Sequence, residues 1–326
     1  MISKAYIEQA AREVGFDLCG VAHVRELTER KAPFARWLEA GYDSGLGYMS
    51  RNFDKRFDPA ALVEGARTVV VCAVSYKTSV DELPQGWPQV SSYALARDYH
   101  PTIKGMLAAL LERVRAVEPA ASGRGFCDMA PLLEKAWAVE AGLGWQGKNA
   151  LVINPRLGSF ILLGELVMDI EVESFSEPFT EERCRDCRLC MDACPIGAIV
   201  AQQVIDTSRC ISRLTVERPL EVTVPAPAGA ENGTASACEA RREARSPRPA
   251  APALHNHLFG CDICQRVCPW NHHAPDHTNP AFDPVIDPAE LTLDFWHSLT
   301  RERFDEIFGQ TPLARRGYDA IMEKIR

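Results

Sequence analysis

The sequence predicts an α+β protein in which a mixed α/β N-terminal region precedes a region dominated by cysteines. Short apolar runs in the first 180 residues are typical of buried strands, and apolar residues also recur there at helical spacing. Eight of the twelve cysteines stand in two regularly spaced runs after residue 180. With 46% hydrophobic and 25% charged residues among 326, the chain can bury one large core or two moderate ones.

The elements of the first part of the chain alternate between helix and strand. Residues 7–14 follow helical spacing, and Gly15 suits the end of that helix. Residues 18–22 and 68–74 are apolar or β-branched runs, which predict buried strands. A continuous apolar stripe at residues 103–117 predicts a long helix.

Proline and glycine residues mark predicted ends of helices and strands in the middle of the chain. Pro131 suits the first turn of another helix, and Gly142 suits its end. Residues 150–153 and 159–167 predict a strand pair, joined across the turn-forming residues 154–158.

We divide the chain into three regions. Residues 1–180 form the mixed α/β domain, and residues 181–275 hold the cysteine module. Within the module, a stretch at about 221–257 is rich in Ala, Pro, Gly, Ser and Arg, and its weak apolar periodicity predicts a surface insertion. Residues 276–326 form a C-terminal helical tail, with short helices expected between residues 291 and 308.

Charge and hydropathy limit the classes of partner. The net charge of −8 means that a nucleic-acid partner needs a local basic patch. The most apolar segment, residues 160–168, is too short to span a membrane and contains Glu165. The N-terminus has no basic stretch followed by an apolar one, so we expect a cytoplasmic protein. In that compartment, clustered cysteines indicate metal binding and not disulfides.

The cysteine runs have the spacing of a bacterial-type ferredoxin with two 4Fe–4S clusters. The first run contains Cys184, Cys187, Cys190 and Cys194, and the second contains Cys210, Cys261, Cys264 and Cys268. In such ferredoxins the last cysteine of each run, which precedes a proline, ligates the cluster of the other run. The predicted ligands of one cluster are therefore Cys184, Cys187, Cys190 and Cys268. Those of the other are Cys194, Cys210, Cys261 and Cys264.

Two alternatives apply to this ligand set. Structural zinc also uses C-x-x-C pairs, although zinc sites rarely use a run of four cysteines followed by proline. Cys210 stands 51 positions before Cys261, and Cys238 in that gap could replace it as a ligand. We favour Cys210 because it follows the first run closely, whereas Cys238 lies in low-complexity sequence.

Several segments between about residues 45 and 275 form a more specific pattern. They are Tyr93-Ala94-x-x-Arg97-Asp98-Tyr99-His100, Asp128-x-Ala130-Pro131-x-x-Glu134, Ala141-Gly142-Leu143-Gly144-Trp145-x-Gly147-Lys148-Asn149, Gly158-Ser159-x-x-x-Leu163-Gly164-Glu165, Arg209-Cys210-Ile211-Ser212-x-Leu214-Thr215-x-Glu217, and Gly260-Cys261-Asp262-x-Cys264-Gln265-x-x-Cys268-Pro269-Trp270-Asn271. Together they resemble the epoxyqueuosine reductase family.

The resemblance implies an oxidoreductase that reduces epoxyqueuosine to queuosine at the wobble position of tRNA. The N-terminal domain would bind cobalamin against the ferredoxin-like module, and the two clusters would reduce the cobalt. Asp128 matches the family's proton donor. A carboxyl beside Met129 and the corrin is expected to have a raised pKa and so to remain protonated. A helix-entry cap is the alternative role for Asp128.

The resemblance also assigns binding residues and partners. Arg51, Tyr93, Ser212 and Asp262 match positions near cobalamin, and Glu217 matches a position that faces tRNA. Each of three residues has an alternative role. Arg51 and Glu217 could be solvated side chains, and Tyr93 could be a core aromatic. The implied partners are tRNA and a low-potential electron donor of unknown identity. We expect no membrane partner and a monomeric protein.

The sequence departs from the family at two places. The insertion at about 221–257 is longer than usual, and its four arginines, Arg241, Arg242, Arg245 and Arg248, could contact tRNA phosphates or be solvated. The chain also matches a short form of the family, without the C-terminal helical-repeat extension. Two other functions stay open, a non-catalytic two-cluster electron carrier and a cobalamin enzyme of the reductive dehalogenase type.

Overall fold

The computed structural model describes residues 1–78, 86–217 and 254–325. The described strands are β1 (Leu18–His23), β2 (Thr68–Ser75), β3 (Gln89–Val90), β4 (Gly123–Phe126), β5 (Trp145–Gln146), β6 (Val152–Ile153), β7 (Ile161–Met168), β8 (Ile199–Ala201), β9 (Val204–Ile205) and β10 (His257–Phe259). The largest sheet has four antiparallel strands in the order β1-β2-β7-β4.

Helices cover both faces of this sheet and form the C-terminal part of the chain. The described α-helices are α1 (Lys4–Glu13), α2 (Thr28–Glu39), α3 (Gly47–Ser50), α4 (Tyr99–Val117), α5 (Glu134–Glu140), α6 (Leu189–Ala193), α7 (Ile211–Val216), α8 (Ile263–Arg266), α9 (Pro269–His272), α10 (Leu293–Ser298), α11 (Arg301–Phe308) and α12 (Gly317–Met322). Short 3₁₀ helices lie at Asp54–Arg56, Pro59–Ala61, Ser92–Ala94, Pro280–Phe282, Pro288–Glu290 and Pro312–Arg315. Among the described helices, none is long and apolar enough to span a bilayer.

Strand β2 is the centre of the N-terminal region. All eight of its residues are buried, because β1 and β7 pair with its two edges and helices cover its two faces. On one face, Val70 packs in a core with Ile103 and Leu107 of α4. On the other face, Val71 packs in a second core with Trp137 of α5. The apolar run in the sequence therefore reflects burial on both faces of the sheet.

The cysteine module and the N-terminal region are joined by backbone pairing. Strand β10, which precedes Cys261, pairs in parallel with β3. Helix α7 lies beside β10, where the Gly260 N–H donates a hydrogen bond to Thr215 Oγ1 at 2.9 Å. The pairing fixes the chain before Cys261 against the turn that carries Tyr93.

The C-terminal helices complete a third apolar core. Trp296 of α10 stacks on Phe308 of α11, with ring centroids 5.7 Å apart and planes 8° from parallel. Both side chains are fully buried in one cluster with Phe259 of β10 and Ala94. The tail thus supports the strand pair that joins the cysteine module to the N-terminal region.

Most sequence predictions of local structure are confirmed. Helices α1 and α4, strands β1 and β2, and helices α10 and α11 occupy the predicted positions. Gly15 follows α1 with a φ of 103°, a value that glycine adopts without strain.

Two predictions of local structure were wrong. The strand pair across 154–158 does not form, because β6 pairs with β5 and β7 pairs with β2 and β4; only a single bridge joins Asn154 to Gly158. Pro131 does not open a helix either, since α5 begins at Glu134. In the first case, pairing with strands far away in the sequence overrides the turn signal of the local sequence.

We predict that Gly20→Ala destabilises the protein. A Cβ at this position of β1 would overlap the carbonyl oxygen of Ala141, which is backbone and cannot rotate away. Overpacking of this kind costs about 1–3 kcal/mol of unfolding free energy. The control is Gly105→Ala in α4, where nothing lies within 4 Å and alanine favours the helix. The midpoint of urea unfolding should fall for the first variant and not for the second; equal midpoints would contradict the packing of β1 against Ala141.

Candidate functional site

Four cysteines from the two runs line one cavity. Cys184, Cys187, Cys190 and Cys268 surround a concavity of about 290 Å³ that is partly open to solvent. Helix α6 begins inside the first run, and the Cys187 N–H donates to the Cys184 carbonyl, so the chain turns around the cavity. These are the four cysteines predicted to hold the first cluster.

The remaining predicted ligands form a second group. Burial raises the pKa of the Cys210, Cys261 and Cys264 thiols, and the nearby thiols add to the rise. Cys194 acts on both Cys210 and Cys261, which places it in the same group. Deprotonated thiolates gathered in such a buried place need compensating positive charge, and iron supplies it. The donor set therefore fits sulfur-ligated clusters, and the crossed ligation stays a prediction.

Buried polar side chains dock the cysteine module on the N-terminal region. The Asn271 carboxamide accepts from the Ser159 N–H at 2.6 Å and donates to Ser159 Oγ at 3.0 Å. Gln265 interacts with Ser159 Oγ at 3.2 Å and donates to Tyr76 Oη at 3.3 Å. Gly158 has a φ of 68° and lies against Asn271, so a side chain there would displace the carboxamide. The contact fixes α8 and α9 relative to the sheet.

Asp128 lies at the end of β4 in a left-handed backbone conformation, with a φ of 56°. Its Oδ2 accepts a hydrogen bond from Tyr99 Oη at 3.0 Å and lies 3.7 Å from His100 Nε2. His100 Nδ1 in turn lies 2.7 Å from Oδ1 of Asp98, the residue that caps α4. Asp128 does not cap α5, because that helix follows Leu133. Its carboxylate, 61% exposed, is oriented by the first turn of α4 toward open space.

The pKa of Asp128 differs from the expectation. Burial acts to raise it, but hydrogen bonds from His100 and Tyr99 outweigh burial and leave the pKa below its ordinary value. The expected apolar neighbour does not cover the carboxyl, since the Met129 side chain is 73% exposed. Burial and the charge of Asp128 raise the pKa of Tyr99, so its phenol keeps its proton and acts as a hydrogen-bond donor. In this state the site holds an ionised carboxylate.

Tyr93 lies between Asp128 and the cysteine module. Burial raises the pKa of its phenol, and the charges of Asp262 and Asp128 raise it further, so both carboxylates are near. Its ring meets those of Tyr99 and Phe259 at centroid distances of 6.1 and 6.3 Å. Tyr93 therefore forms part of the wall between the acid and the second cysteine run.

The other residues predicted to lie near cobalamin differ in burial and in contacts. The Asp262 carboxylate is buried and accepts from Ser91 Oγ and from the N–H and Oγ of Ser92, so its hydrogen bonds hold the Tyr93 turn. Ser212 is half-buried on α7, two positions after Cys210. Arg51 is exposed at the end of α3.

Glu217, at the end of α7, contacts side chains from two other parts of the chain. It accepts from Tyr48 Oη at 3.4 Å and pairs with Arg315 at 3.0 Å. The pKa of Tyr48 is raised to about 12 by burial and by the charges of Glu217 and Asp128, so Tyr48 lies near both carboxylates. Cys238 and the arginines at 241, 242, 245 and 248 lie outside the described residues.

Sequence reasoning missed several residues at the site. Tyr99 and Glu134 stand in the segments that carry the resemblance, but neither received a role. Glu165 was noted only because a charge is unusual in an apolar run, and that same signal could have marked it as a buried polar group. Tyr48 carries no signal in the sequence, because a single tyrosine near a short helix has many ordinary explanations.

Chemically, the arrangement can supply two functions. The cysteine groups can transfer single electrons when clusters are bound. Asp128 can exchange a proton with a bound substrate, and Tyr99 and His100 fix its orientation.

Two family models match the chain. One, described as "Epoxyqueuosine reductase QueG, DUF1730", matches residues 56–129. The other, described as "4Fe-4S double cluster binding domain", matches residues 183–271. An epoxyqueuosine reductase from Cyclobacterium marinum is 36% identical over 321 residues, covering 98% of this chain and 94% of that protein.

Solved structures show the same fold. A selenomethionine-labelled epoxyqueuosine reductase is 25% identical and superimposes with a TM-score of 0.80, over 99% of this chain and 80% of that one. An epoxyqueuosine reductase bound to an epoxyqueuosine-modified tRNA-Tyr stem loop is 24% identical, with a TM-score of 0.77 over 99% of this chain and 79% of that one.

We predict that Asp128→Asn lowers the pKa of His100. The hydrogen bond with Asp128 is the largest contribution that raises this pKa, followed among the raising contributions by that with Asp98. Removing the Asp128 charge should therefore make the imidazole lose its proton at lower pH. An NMR titration of the His100 ring measures the change, and Asp283→Asn beside His277 is the control. An unchanged His100 titration in Asp128→Asn would contradict the contact between Asp128 and His100.

Proposed function

The chain belongs to the epoxyqueuosine reductase family, and we propose that it reduces epoxyqueuosine to queuosine in tRNA with cobalamin and two 4Fe–4S clusters. The observation that carries the proposal is the position of Asp128. Its carboxylate is 61% exposed, and the neighbouring Tyr93 is also affected by the charge of Asp262 beside Cys261. This proximity supports a proton donor and an electron source that act on the same substrate.

The residues proposed for each cofactor are those predicted from the sequence. Cys184, Cys187, Cys190 and Cys268 would hold one cluster, and Cys194, Cys210, Cys261 and Cys264 the other. Arg51, Tyr93, Ser212 and Asp262 are the proposed cobalamin neighbours. Asp262 would act through the Tyr93 turn, because its carboxylate is already occupied by Ser91 and Ser92.

In the proposed reaction Asp128 delivers a proton to the epoxide oxygen. Cobalamin, when bound and reduced through the clusters, supplies a nucleophilic metal at the carbon of the three-membered ring. Two electrons and two protons convert the epoxide to the alkene and one water. Tyr99 and His100 hold the carboxyl toward the substrate.

The lowered pKa of Asp128 is compatible with this role. The carboxylate is 61% exposed, so a bound corrin and nucleoside would cover it and remove water from it. Desolvation disfavours the charged form and raises the pKa of a carboxyl, which favours the protonated acid in the complex. Substrate binding would therefore favour the protonated form of Asp128.

The proposed substrate interactions extend to the side of Glu217. Its pairing with Arg315 places a basic side chain beside the position proposed to face tRNA. A phosphate could compete with Glu217 for that guanidinium, which would make binding depend on salt.

A cytoplasmic location and a low-potential electron donor are part of the proposal, as are a monomeric state and the division of the chain at about residues 180 and 275.

We predict that Asp128→Asn retains clusters and cobalamin but loses turnover. Asparagine tolerates the left-handed backbone and preserves the shape of the side chain, but it cannot donate the proton. General acid catalysis contributes about 10²–10⁴-fold, and kcat should fall by that order. The assay uses anaerobically reconstituted protein, a strong reductant and epoxyqueuosine-containing tRNA. Full activity of the variant would exclude Asp128 as the acid, and an inactive, fully loaded wild type would contradict the proposed function.

We predict that Trp145→Phe lowers the reduction potential of one cluster. Trp145 Nε1 donates to Cys184 Sγ at 3.4 Å, and a donor to sulfur stabilises the more negative, reduced state. The loss should correspond to one weak hydrogen bond, about 1 kcal/mol. A redox titration followed by electron paramagnetic resonance measures the shift. Trp137→Phe, at an indole without a described hydrogen-bond partner, is the control; equal potentials in both variants would contradict the Trp145 contact.

A further inference from the structure

Glu165 is a carboxylic acid in the middle of the four-stranded sheet. It is fully buried on β7, between Val71 of β2 and Phe126 of β4. No hydrogen-bond donor from the described residues reaches either of its carboxyl oxygens. An ionised carboxylate in this place would be uncompensated, so the physical expectation is a neutral, protonated acid.

Helix α5 packs against β7, and after burial the group that acts most strongly on Glu165 is a second carboxyl, that of Glu134 at the start of α5. A hydrogen bond between two carboxyls needs a proton on one of them. Burial raises the pKa of Glu134 to about 7 and raises that of Glu165 well above its ordinary value, and the charge of each raises the pKa of the other. We call Glu134 and Glu165 the carboxyl pair.

The carboxyl pair reaches Asp128 through the backbone. Glu134 Oε1 accepts the N–H of Asp128, so it connects the first residue of α5 to the end of β4. Asp128 has a φ of 56°, a conformation that costs free energy for a residue with a side chain. Such a conformation persists only where neighbouring contacts hold it, and the Glu134 contact does so directly.

We infer that Glu134 and Glu165, as a carboxyl pair sharing one proton, are positioning residues that hold Asp128 in place to protonate the substrate. The inference rests on the proposed function, because it needs Asp128 to be the acid. Glu165 donates the shared proton to Glu134, and Glu134 uses its other oxygen to hold the Asp128 N–H. Neither glutamate needs to contact the substrate.

The surroundings of the carboxyl pair decide how it responds to pH. The titratable and charged groups that interact with it are Asp128, Lys135, Cys127 and Cys72, and Lys104 in turn acts on Cys127. Since the pKa values of the pair are raised, the shared proton is present at neutral pH and is lost as pH rises through the higher pKa. Two adjacent negative charges then repel each other, and the contact with Asp128 weakens. Turnover should fall on the alkaline side.

The first test compares Glu134→Ala with Glu134→Gln in cluster-loaded protein. Alanine removes the acceptor, so the Asp128 amide should exchange its hydrogen faster, and kcat should fall by about 100-fold with a smaller change in KM. In Glu134→Gln the carboxamide oxygen can still accept the Asp128 N–H, and its N–H₂ can donate to Glu165. This variant should therefore keep slow hydrogen exchange at the Asp128 amide and most of kcat. Glu140→Gln, at the opposite end of α5, is the control.

The second test changes the pH response. Glu165→Gln donates to Glu134 without a titratable proton, so the alkaline fall in kcat should move to higher pH or disappear. Two outcomes would overturn the inference. In one, Glu134→Ala has the same hydrogen-exchange rate at the Asp128 amide and the same kcat as Glu140→Gln. In the other, kcat of Glu165→Gln falls at alkaline pH as it does in the wild type. Hydrogen exchange at Asp128 requires no turnover, so an inactive wild type would refute the proposed function and still leave the Glu134 contact open to measurement.

Discussion

The buried contact of Asn271 with Ser159 is the interaction on which the rest of the site depends. It fixes the helices of the second cysteine run against the central sheet, and the sheet carries Asp128 at the end of β4. A buried polar contact of this kind is directional, because a shifted carboxamide would leave unpaired groups in a low-dielectric interior. The distance between the thiol groups and the acid is therefore set by hydrogen-bond geometry and not by apolar packing alone.

The acid itself is held by two opposing effects. Hydrogen bonds from Tyr99 and His100 favour the charged carboxylate, whereas burial favours the neutral acid. In the structure the hydrogen bonds dominate. A ligand that removes water from the open side shifts the balance toward the neutral form, so the same side chains can orient the carboxyl before binding and present it as an acid afterwards. The backbone contact with Glu134 fixes the position of the carboxyl, while the contacts with α4 fix its direction.

Local periodicity predicted α1, β1, β2 and α4 because their apolar faces are fixed by burial within each element. The cysteine groups were predictable from spacing, since cluster ligation constrains the sequence directly. The pairing of β7 with β2 and β4 depends on strands far away in the sequence, so it left no local signal. The environment of Asp128 was only partly predictable, because its pKa depends on Tyr99 and His100 across 28 or more positions of sequence.

The hydrogen bond from Gly260 to Thr215 has a consequence for how the chain can change over evolution. It brings two positions 45 residues apart in sequence together in the folded core. In general, the entropic cost of joining two chain positions grows only with the logarithm of their separation, so each doubling costs about 0.6 kcal/mol. A change in the number of residues between Thr215 and Gly260 is therefore expected to alter this closure cost only slightly, while the two flanking cysteine positions stay fixed.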